Sequence, residues 1–254
     1  MKILFTICGR AGSKGFKNKN LKKMRGVPLV HYTLAAIKGY VDKHPKDEVT
    51  VALNTDSGEL IDLARKQAEV SVCVIERKES LAKDATPKVD VIKDTFLSCG
   101  GVEFDAVIDL DLTSPMRSVC DIDTVIKEYV AGDYDLVCSV VEARRSPYFN
   151  MVEKKSDGYY RKICKSNFTA RQQAPRAYEL NASIYAYNPA FLIGDIEKTI
   201  LDCNCGICVM SDYLVLDIDS EKDFRMMSFL HDYYCRCDKG IYEVYEIAKS
   251  MNDL

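Results

Sequence analysis

The sequence predicts an α/β fold built on a mostly parallel sheet with helices on both faces. Short apolar runs alternate along the chain with segments whose apolar residues recur at helical spacing. The runs contain few polar residues, which is typical of strands that are buried on both faces. With 254 residues and 47% apolar composition, the chain can bury one large core, so a single domain over residues 1–254 is expected.

The elements follow in regular order from the N-terminus. The first strand is expected at Lys2–Cys8, where an almost continuous apolar run ends at Gly9. A basic loop follows, and Pro28 is placed to begin the first helix. Further strands are expected at residues 49–53, 70–75, 106–112 and 136–141, and further helices from residue 60, over 86–100 and over 121–131. In such a sheet, ligands bind where the carboxyl ends of the strands meet.

The rhythm changes between residues 144 and 187. Apolar residues within 148–152 and 158–160 predict a hairpin with an apolar face, followed by an irregular stretch. An isolated hairpin is only marginally stable in water, so we expect this insertion to pack against a second subunit. Nearer the C-terminus, an apolar stripe predicts a long helix that contains Phe224, Met227, Leu230 and Tyr234.

A loop after the first predicted strand concentrates positive charge. Nine of the 35 Lys and Arg residues lie within the first 41 positions, before the first acidic residue, Asp42. The rest of the chain is acidic, and the formal net charge is −3. This distribution predicts a local anion site and argues against binding of nucleic acid or of a membrane surface, because both need an extended basic face.

The composition of this loop suits phosphate. Three glycines, at positions 9, 12 and 15, allow backbone N–H groups to approach phosphate oxygens closely. Arg10, Lys14 and Lys19 add charged hydrogen-bond donors. The loop matches neither G-x-x-x-x-G-K-[ST] nor G-x-G-x-x-G, so it is neither a P-loop nor a dinucleotide fingerprint. The alternative is a solvated basic loop in which glycine serves only the turn.

The cellular location expected from the sequence is the cytoplasm, with no membrane partner. The apolar stretch at the start is too short for a signal peptide, and no run of about 18 apolar residues occurs. The eleven cysteines are an odd number, and several lie singly in apolar stretches, as is usual in a reducing compartment.

An acidic pair near the C-terminus is a candidate metal site. Asp217 and Asp219 are two positions apart at what is predicted to be a strand end, so both carboxylates can point to the same side. Such a pair commonly holds Mg²⁺ beside phosphates. Asp111 ends another predicted strand. The alternative is that Asp217 and Asp219 serve as helix caps, since Ser220 and Glu221 follow them.

Four separated parts of the chain resemble one enzyme family. They are GRAGSKG at 9–15 with KNKNL at 17–21, LTSPMR at 112–117, RQQAPR at 171–176 with NASIY at 181–185, and DIDS at 217–220. These segments, in this order over residues 1 to about 235, resemble the acylneuraminate cytidylyltransferases, and most closely the branch that activates legionaminic acid. Members of this family convert sialic-acid-like sugars to CMP derivatives.

This resemblance implies a Rossmann-like nucleotide-diphospho-sugar transferase sheet and a Mg²⁺-dependent reaction. The C2 hydroxyl of a nonulosonic acid would attack the α-phosphorus of CTP, and pyrophosphate would leave. Such a step depends mainly on positioning and charge stabilisation. The resemblance also implies a homodimer, with the 144–187 insertion as the dimerisation segment.

The resemblance assigns roles to individual residues. The triphosphate would be held by Arg10, Ser13, Lys14 and Lys19, and catalytic charge stabilisation is assigned to Lys14, Arg10 and Lys19. The remaining nucleotide contacts would come from Asn20, Arg77 and Asp84. Magnesium would be held by Asp217 and Asp219. The sugar would be bound by Asp111, Arg171, Gln172, Asn181 and Tyr185. Alternatively, Arg171 and Asn181 are ordinary loop hydrogen-bonding residues and Tyr185 is a core residue.

Two departures from the family pattern bear on the substrate. Asp111 and Leu112 stand where sialic-acid-activating relatives usually have Gln-Pro, and Ala182 stands where glycine is usual. Rival functions are another sugar nucleotidyltransferase, such as one for 3-deoxy-manno-octulosonate, a glycosyltransferase on a similar sheet, and a non-catalytic anion-binding protein that uses only the basic loop.

Overall fold

The structure is a computed structural model that describes residues 1–12, 15–194 and 200–252. Its strands are β1 (Lys2–Cys8), β2 (Lys23–Met24), β3 (Val27–Pro28), β4 (Glu48–Thr55), β5 (Cys73–Glu76), β6 (Ala106–Leu110), β7 (Leu136–Glu142), β8 (Val152–Lys154), β9 (Tyr160–Lys162), β10 (Tyr178–Tyr187) and β11 (Cys205–Val209). Its helices are α1 (Leu29–Lys43), α2 (Gly58–Lys66), α3 (Lys88–Ser98), α4 (Val119–Ala131), α5 (Pro189–Ile193), α6 (Glu221–Cys237) and α7 (Lys239–Asn252).

Seven of these strands form the central sheet, in the order β11-β7-β10-β6-β1-β4-β5. Parallel pairs join β1 to β4 and β6, β4 to β5, and β7 to β11. β10 alone among these seven runs antiparallel to its neighbours, β6 and β7. The predicted α/β fold with a mostly parallel sheet is therefore confirmed.

Helices cover both faces of the sheet because successive side chains of a strand point to opposite sides. Ile3 and Phe5 of β1 belong to the larger core, with buried residues of α1, α2, α4, α6 and α7. Leu4 belongs to a smaller core on the other face, with residues of α3 and α5. None of the helices in the described residues is both long and apolar enough to cross a membrane.

The end of the 144–187 segment differs from the expectation. Residues Tyr178–Tyr187 form β10, a long strand in the middle of the sheet, instead of belonging to an irregular insertion. The pairing of β10 with β7 shifts between Leu180 and Tyr185, and Ala182 within that interval has a φ of 49°. This irregularity breaks the period of two by which strands are predicted. The inserted part therefore ends before Tyr178.

The predicted hairpin is present, slightly later in the chain than expected. Its strands are β8 and β9, and Gly158 has a φ of 85° in the turn between them. Residues 148–150 form a turn instead of strand. Val152, Tyr159 and Tyr160 are exposed on the hairpin.

The strand predicted at 70–75 also begins later, at Cys73.

The sequence predicted that Asp217 and Asp219 lie at the end of a strand, but the structure has no strand there. Both residues belong to an extended segment between a short 3₁₀ helix, Asp212–Val215, and α6. A period of two alone cannot distinguish a paired strand from an extended loop, because only a neighbouring strand supplies the backbone partners.

His231 makes the core of α6 sensitive to pH. It is buried, with its ring 5.1 Å from that of Tyr32 and 5.6 Å from that of Tyr245, measured between centroids. Burial disfavours the imidazolium, and the nearby Arg25 disfavours it further, so the pKa of His231 falls to about 4.

We therefore expect stability to fall as the pH decreases from 6.5 to 4. In that range His231 is protonated in the unfolded chain but neutral in the folded protein. This difference lowers the free energy of unfolding by about 3 kcal/mol at pH 4. Urea unfolding of the wild type and of His231→Phe across this range measures the effect. The variant should lose less stability on acidification, and equal losses in both proteins would contradict the assignment.

Candidate active site

A cleft of about 240 Å³ opens at the carboxyl edge of the central sheet. It lies where β1, β5 and β6 end, as expected for a parallel sheet. Residues predicted to bind the nucleotide, the sugar and the metal, and two predicted to be catalytic, line it together: Arg10, Lys19, Asn20, Arg77, Asp84, Asp111 and Asp217. Ser13 and Lys14, both predicted to hold phosphate, lie outside the described residues. The structure thus brings the basic loop, two other strand ends and the acidic segment to one place.

The donors of the basic loop are held by carboxylates. Arg10 donates through Nη1 to Asp84 Oδ1, and the backbone N–H of Ala11 donates to Asp56 Oδ1 at 2.6 Å. Lys19 Nζ lies 3.0 Å from Asp219 Oδ1 and also donates to the Ile218 carbonyl at 3.0 Å. The loop therefore presents anion-binding groups that are already oriented towards negative charge.

The turn of the basic loop depends on a buried amide. Asn20 is 9% exposed, and its Nδ2 donates to the Arg10 carbonyl at 3.2 Å. Asn18 adopts a left-handed conformation just before the 3₁₀ helix that contains Lys19 and Asn20. Asparagine tolerates that conformation better than most residues do.

Gly15 lets the basic loop approach the acidic segment. A Cβ built on Gly15 would lie 2.8 Å from the backbone carbonyl oxygen of Asp219. No side chain fits against backbone at that distance, so any other residue would push the two segments apart. Cations and carboxylates therefore face each other across a short gap.

Asp217 carries the least satisfied carboxylate of this cleft. Its Oδ1 is buried and accepts no hydrogen bond. Burial raises the pKa of Asp217 and the neighbouring Asp111 raises it further, although a hydrogen bond from Thr113 opposes both. A buried oxygen without a partner is costly in a folded protein unless a ligand satisfies it. This atom could therefore accept a cation.

Asp219 differs from Asp217, because 76% of its side chain is exposed and Lys19 pairs with it. Neither aspartate caps α6. Ser220 occupies that position and exchanges hydrogen bonds with Asp223 in a capping box. Within the part of the chain that the structure describes, no three His, Cys, Asp or Glu side chains are grouped to hold a metal. A cation here would need further ligand atoms from a bound molecule.

Lys88 lines this cleft and pairs with Asp109, which is buried behind it, although neither residue was assigned a role from the sequence. Lys88 Nζ lies 2.7 Å from Asp109 Oδ2 and 2.6 Å from Asp111 Oδ2. Asp109 is fully buried in β6, where Thr6 Oγ1 donates to it at 2.8 Å. Two signals could have identified the group: an aspartate inside an apolar strand, and a lysine at the first position of a helix, where a cation is unfavourable.

Lys88 and Asp111 keep their opposite charges in this buried group. Burial alone would lower the pKa of Lys88, but Asp109 and Asp111 outweigh it and raise the pKa well above its usual range. Burial would raise the pKa of Asp111, yet Lys88 and Thr113 lower it to about 2. Asp111 is therefore ionised at neutral pH.

Arg77 also holds a defined position at the cleft. Its Nε donates to Asn54 Oδ1 and its Nη2 to the Asn54 carbonyl, both at 2.9 Å. Burial lowers the pKa of Arg77. The guanidinium is thereby fixed against the end of β4.

The other predicted sugar residues do not line this cleft. Arg171 and Gln172 line a second cavity of about 320 Å³, together with Arg145 and Arg176. Arg171 donates through Nη2 to the Ala143 carbonyl at 2.9 Å. This second cavity has several cationic side chains and no residue in common with the first.

Asn181 and Tyr185 lie on β10 and line neither cavity. Asn181 is 1% exposed, and its Oδ1 accepts a hydrogen bond from Ser139 Oγ at 2.6 Å. Tyr185 is half-buried beside Tyr187, with 6.3 Å between ring centroids, and burial raises its pKa. Asn181 therefore lies on a strand of the central sheet and not in a loop, and the sugar-binding roles of Asn181 and Tyr185 stay predictions.

Comparison with known proteins gives consistent results. A family model described as cytidylyltransferase matches residues 4–196. A relative from Campylobacter coli, post-translational flagellin modification protein B, is 35% identical over 232 residues, covering 90% of this chain and 94% of the relative. The CMP-N,N'-diacetyllegionaminic acid synthase of Campylobacter jejuni subsp. jejuni is 37% identical over 240 residues, with the same two coverages.

A solved structure shows the same fold. A CMP:2-keto-3-deoxy-manno-octonic acid synthetase in complex with CTP matches with a TM-score of 0.65, covering 92% of this chain and 99% of that one. The sequence identity is 13%, so this likeness concerns the fold alone.

Proposed function

Because this chain belongs to the cytidylyltransferase family, we propose that it transfers CMP from CTP to a nonulosonic acid of the legionaminic or sialic type and releases pyrophosphate. The observation that carries the choice of sugar is the 37% identity to a CMP-N,N'-diacetyllegionaminic acid synthase over 90% of the chain. The cleft supports this function, since cationic and carboxylate side chains face each other at one sheet edge.

In this proposal the triphosphate occupies the basic loop. Phosphate oxygens replace Asp84 on Arg10 and Asp219 on Lys19, so each cation exchanges one anionic partner for another. The backbone N–H of Ala11 and the nearby glycines add donors without steric obstruction. Lys14, which lies outside the described residues, keeps its predicted role beside them. These cations stabilise the negative charge that develops on the phosphates.

The residues present fit a magnesium ion. Mg²⁺ is usually held by one or two carboxylates together with substrate phosphates. Asp217, with its unpartnered buried oxygen, and Asp219, once Lys19 turns to phosphate, would hold it. When bound, the ion would neutralise phosphate charge and favour attack at the α-phosphorus.

We also propose a homodimer in the cytoplasm. Exposed apolar side chains on the hairpin and on the start of β10 would be buried by a second copy: Val152, Tyr159, Tyr160, Tyr178 and Leu180. Large exposed apolar surfaces of this kind mark association sites. All eleven cysteines are free thiols, which suits a reducing compartment.

The test is pyrophosphate release from CTP and Mg²⁺ with legionaminic acid, N-acetylneuraminic acid and 3-deoxy-manno-octulosonate offered separately. We expect release with a nonulosonic acid, and none when UTP or GTP replaces CTP. Release with only 3-deoxy-manno-octulosonate would transfer the assignment to that acid. A folded protein that binds CTP but reacts with none of the three acids would instead support the non-catalytic alternative.

A further inference from the structure

We propose that Lys88 is a positioning residue that holds Asp217 in place through Asp111 and Thr113, and thereby sets the affinity of the cleft for a divalent cation. The inference rests on the proposed function for the presence of that cation. It gives a role to Lys88, to which neither the sequence motifs nor the family resemblance assigned one.

A continuous series of contacts joins Lys88 to the acidic segment. Lys88 Nζ donates to Asp111 Oδ2 at 2.6 Å. Asp111 Oδ1 accepts from the backbone N–H of Thr113 at 3.1 Å and from its Oγ1 at 2.8 Å. The Thr113 carbonyl accepts from the backbone N–H of Ile218 at 3.1 Å. Because Ile218 is fully buried beside Asp217, the position of Thr113 determines where the Asp217 carboxylate lies.

Lys88 is placed against the preference of its own helix. It is the first residue of α3, after the cap Pro87. The helix macrodipole is positive at this end, so a lysine there destabilises the helix unless another interaction compensates. Asp109 and Asp111 provide that interaction. The lysine therefore stabilises the carboxylates of Asp109 and Asp111 and not the helix.

Asp111 has a hydrogen-bond partner at each carboxylate oxygen, whereas Asp217 has a buried oxygen with none. Both carboxylate oxygens of Asp111 have partners, in Lys88 and Thr113. Asp217 Oδ1 is buried without a hydrogen bond. Asp111 is thus held as a support, and Asp217 is the carboxylate left to meet a cation.

Lys88 also limits the repulsion among these acids. Asp109, Asp111 and Asp217 place three carboxylates near one another, and Asp111 acts electrostatically on Asp217. Without the ammonium of Lys88, Asp109 and Asp111 would repel each other at the end of β6. Asp111 would then leave Thr113, and the acidic segment would lose its anchor.

The test compares CTP binding with and without the metal. Isothermal titration calorimetry gives the dissociation constant of CTP in Mg²⁺ and in EDTA, and the ratio of the two measures the contribution of the cation. In Lys88→Met we expect this ratio to fall about tenfold or more, the usual effect of losing a residue that orients a ligand. Binding in EDTA should change far less, since Lys88 is not assigned to the phosphates.

Two further variants keep the test decisive. Lys88→Met/Asp109→Asn also removes the charge of Asp109, so Asp109 no longer repels Asp111, but Asp111 is still left without its lysine. Lys78→Met is the matched control. Lys78 pairs with Asp94 of α3, the helix that begins with Lys88, and it does not line the cleft. It should keep the wild-type ratio.

The outcomes separate this inference from the proposed function. A wild-type ratio near one would overturn the metal site itself and the inference with it. A large wild-type ratio that persists in a folded Lys88 variant would overturn the role of Lys88 alone. Parallel loss of binding in Mg²⁺ and in EDTA would also overturn it, since a general structural defect weakens both equally.

Discussion

Replacing Asp217 with asparagine should slow pyrophosphate release by about 100- to 1,000-fold at saturating CTP and sugar, because a bound cation contributes several kcal/mol of transition-state stabilisation. The change removes a charge from a carboxylate that lines the cleft and whose buried Oδ1 accepts no hydrogen bond. A continuous pyrophosphate assay across a range of Mg²⁺ concentrations measures the loss. Asparagine is close in size to aspartate, so the fold should survive.

Asp212→Asn is the matched control for this prediction. Asp212 is an exposed acid near the same segment, but it pairs with Arg144 at 2.7 Å, outside the cleft. Its replacement should leave the rate unchanged. If Asp217→Asn kept the wild-type rate and the same Mg²⁺ dependence, Asp217 would not be a metal ligand, and Asp219 would become the candidate to test.

Replacing Arg117 with methionine should lower the free energy of unfolding by about 3–5 kcal/mol, the usual cost of removing one partner from a buried charged network. Arg117 is fully buried. Its Nη2 donates to the carbonyls of Asp111 and Ser114, and its Nε donates to Ser183 Oγ at 3.2 Å. Methionine fills similar space but leaves these acceptors unpaired and the surrounding acids uncompensated.

Burial and charge act in opposite directions on Arg117. Burial lowers its pKa to about 10, although the surrounding aspartates counteract part of that shift, so the guanidinium stays charged at neutral pH. Urea unfolding monitored by circular dichroism at pH 7 measures the loss of stability. Arg225→Met, which breaks only an exposed pair with Glu221, should change stability by less than about 0.5 kcal/mol. Equal losses in the two variants would refute the role assigned to Arg117.

Local sequence patterns were sufficient to predict the part of the site that β1 and the basic loop form. The apolar run of β1 and the basic loop that follows it are adjacent in the chain, so a pattern that is read residue by residue contains both. The ends of the strands predicted at 49–53 and 106–112 were expected at the same edge, since parallel strands share their carboxyl edge.

The patterns failed where a residue acts through a distant partner. Lys88 has an ordinary place in the sequence, and only packing brings it against Asp109 of β6 and Asp111 just after that strand. β10 was missed because its bulge interrupts the alternation, and its pairing with β6 and β7 compensates for that defect.

The sequence by itself determined the α/β class, the phosphate-suited loop and the identity of most groups at the cleft, because periodicity and residue chemistry are local properties. Only the tertiary structure decided which carboxylate oxygens have hydrogen-bond partners and which do not. It left the buried Oδ1 of Asp217 without a hydrogen bond, paired Asp111 with Lys88, and placed Arg171 in a separate cavity. Charge pairing and burial depend on distances between segments far apart in the chain, and those distances are set by the packing of the whole sheet.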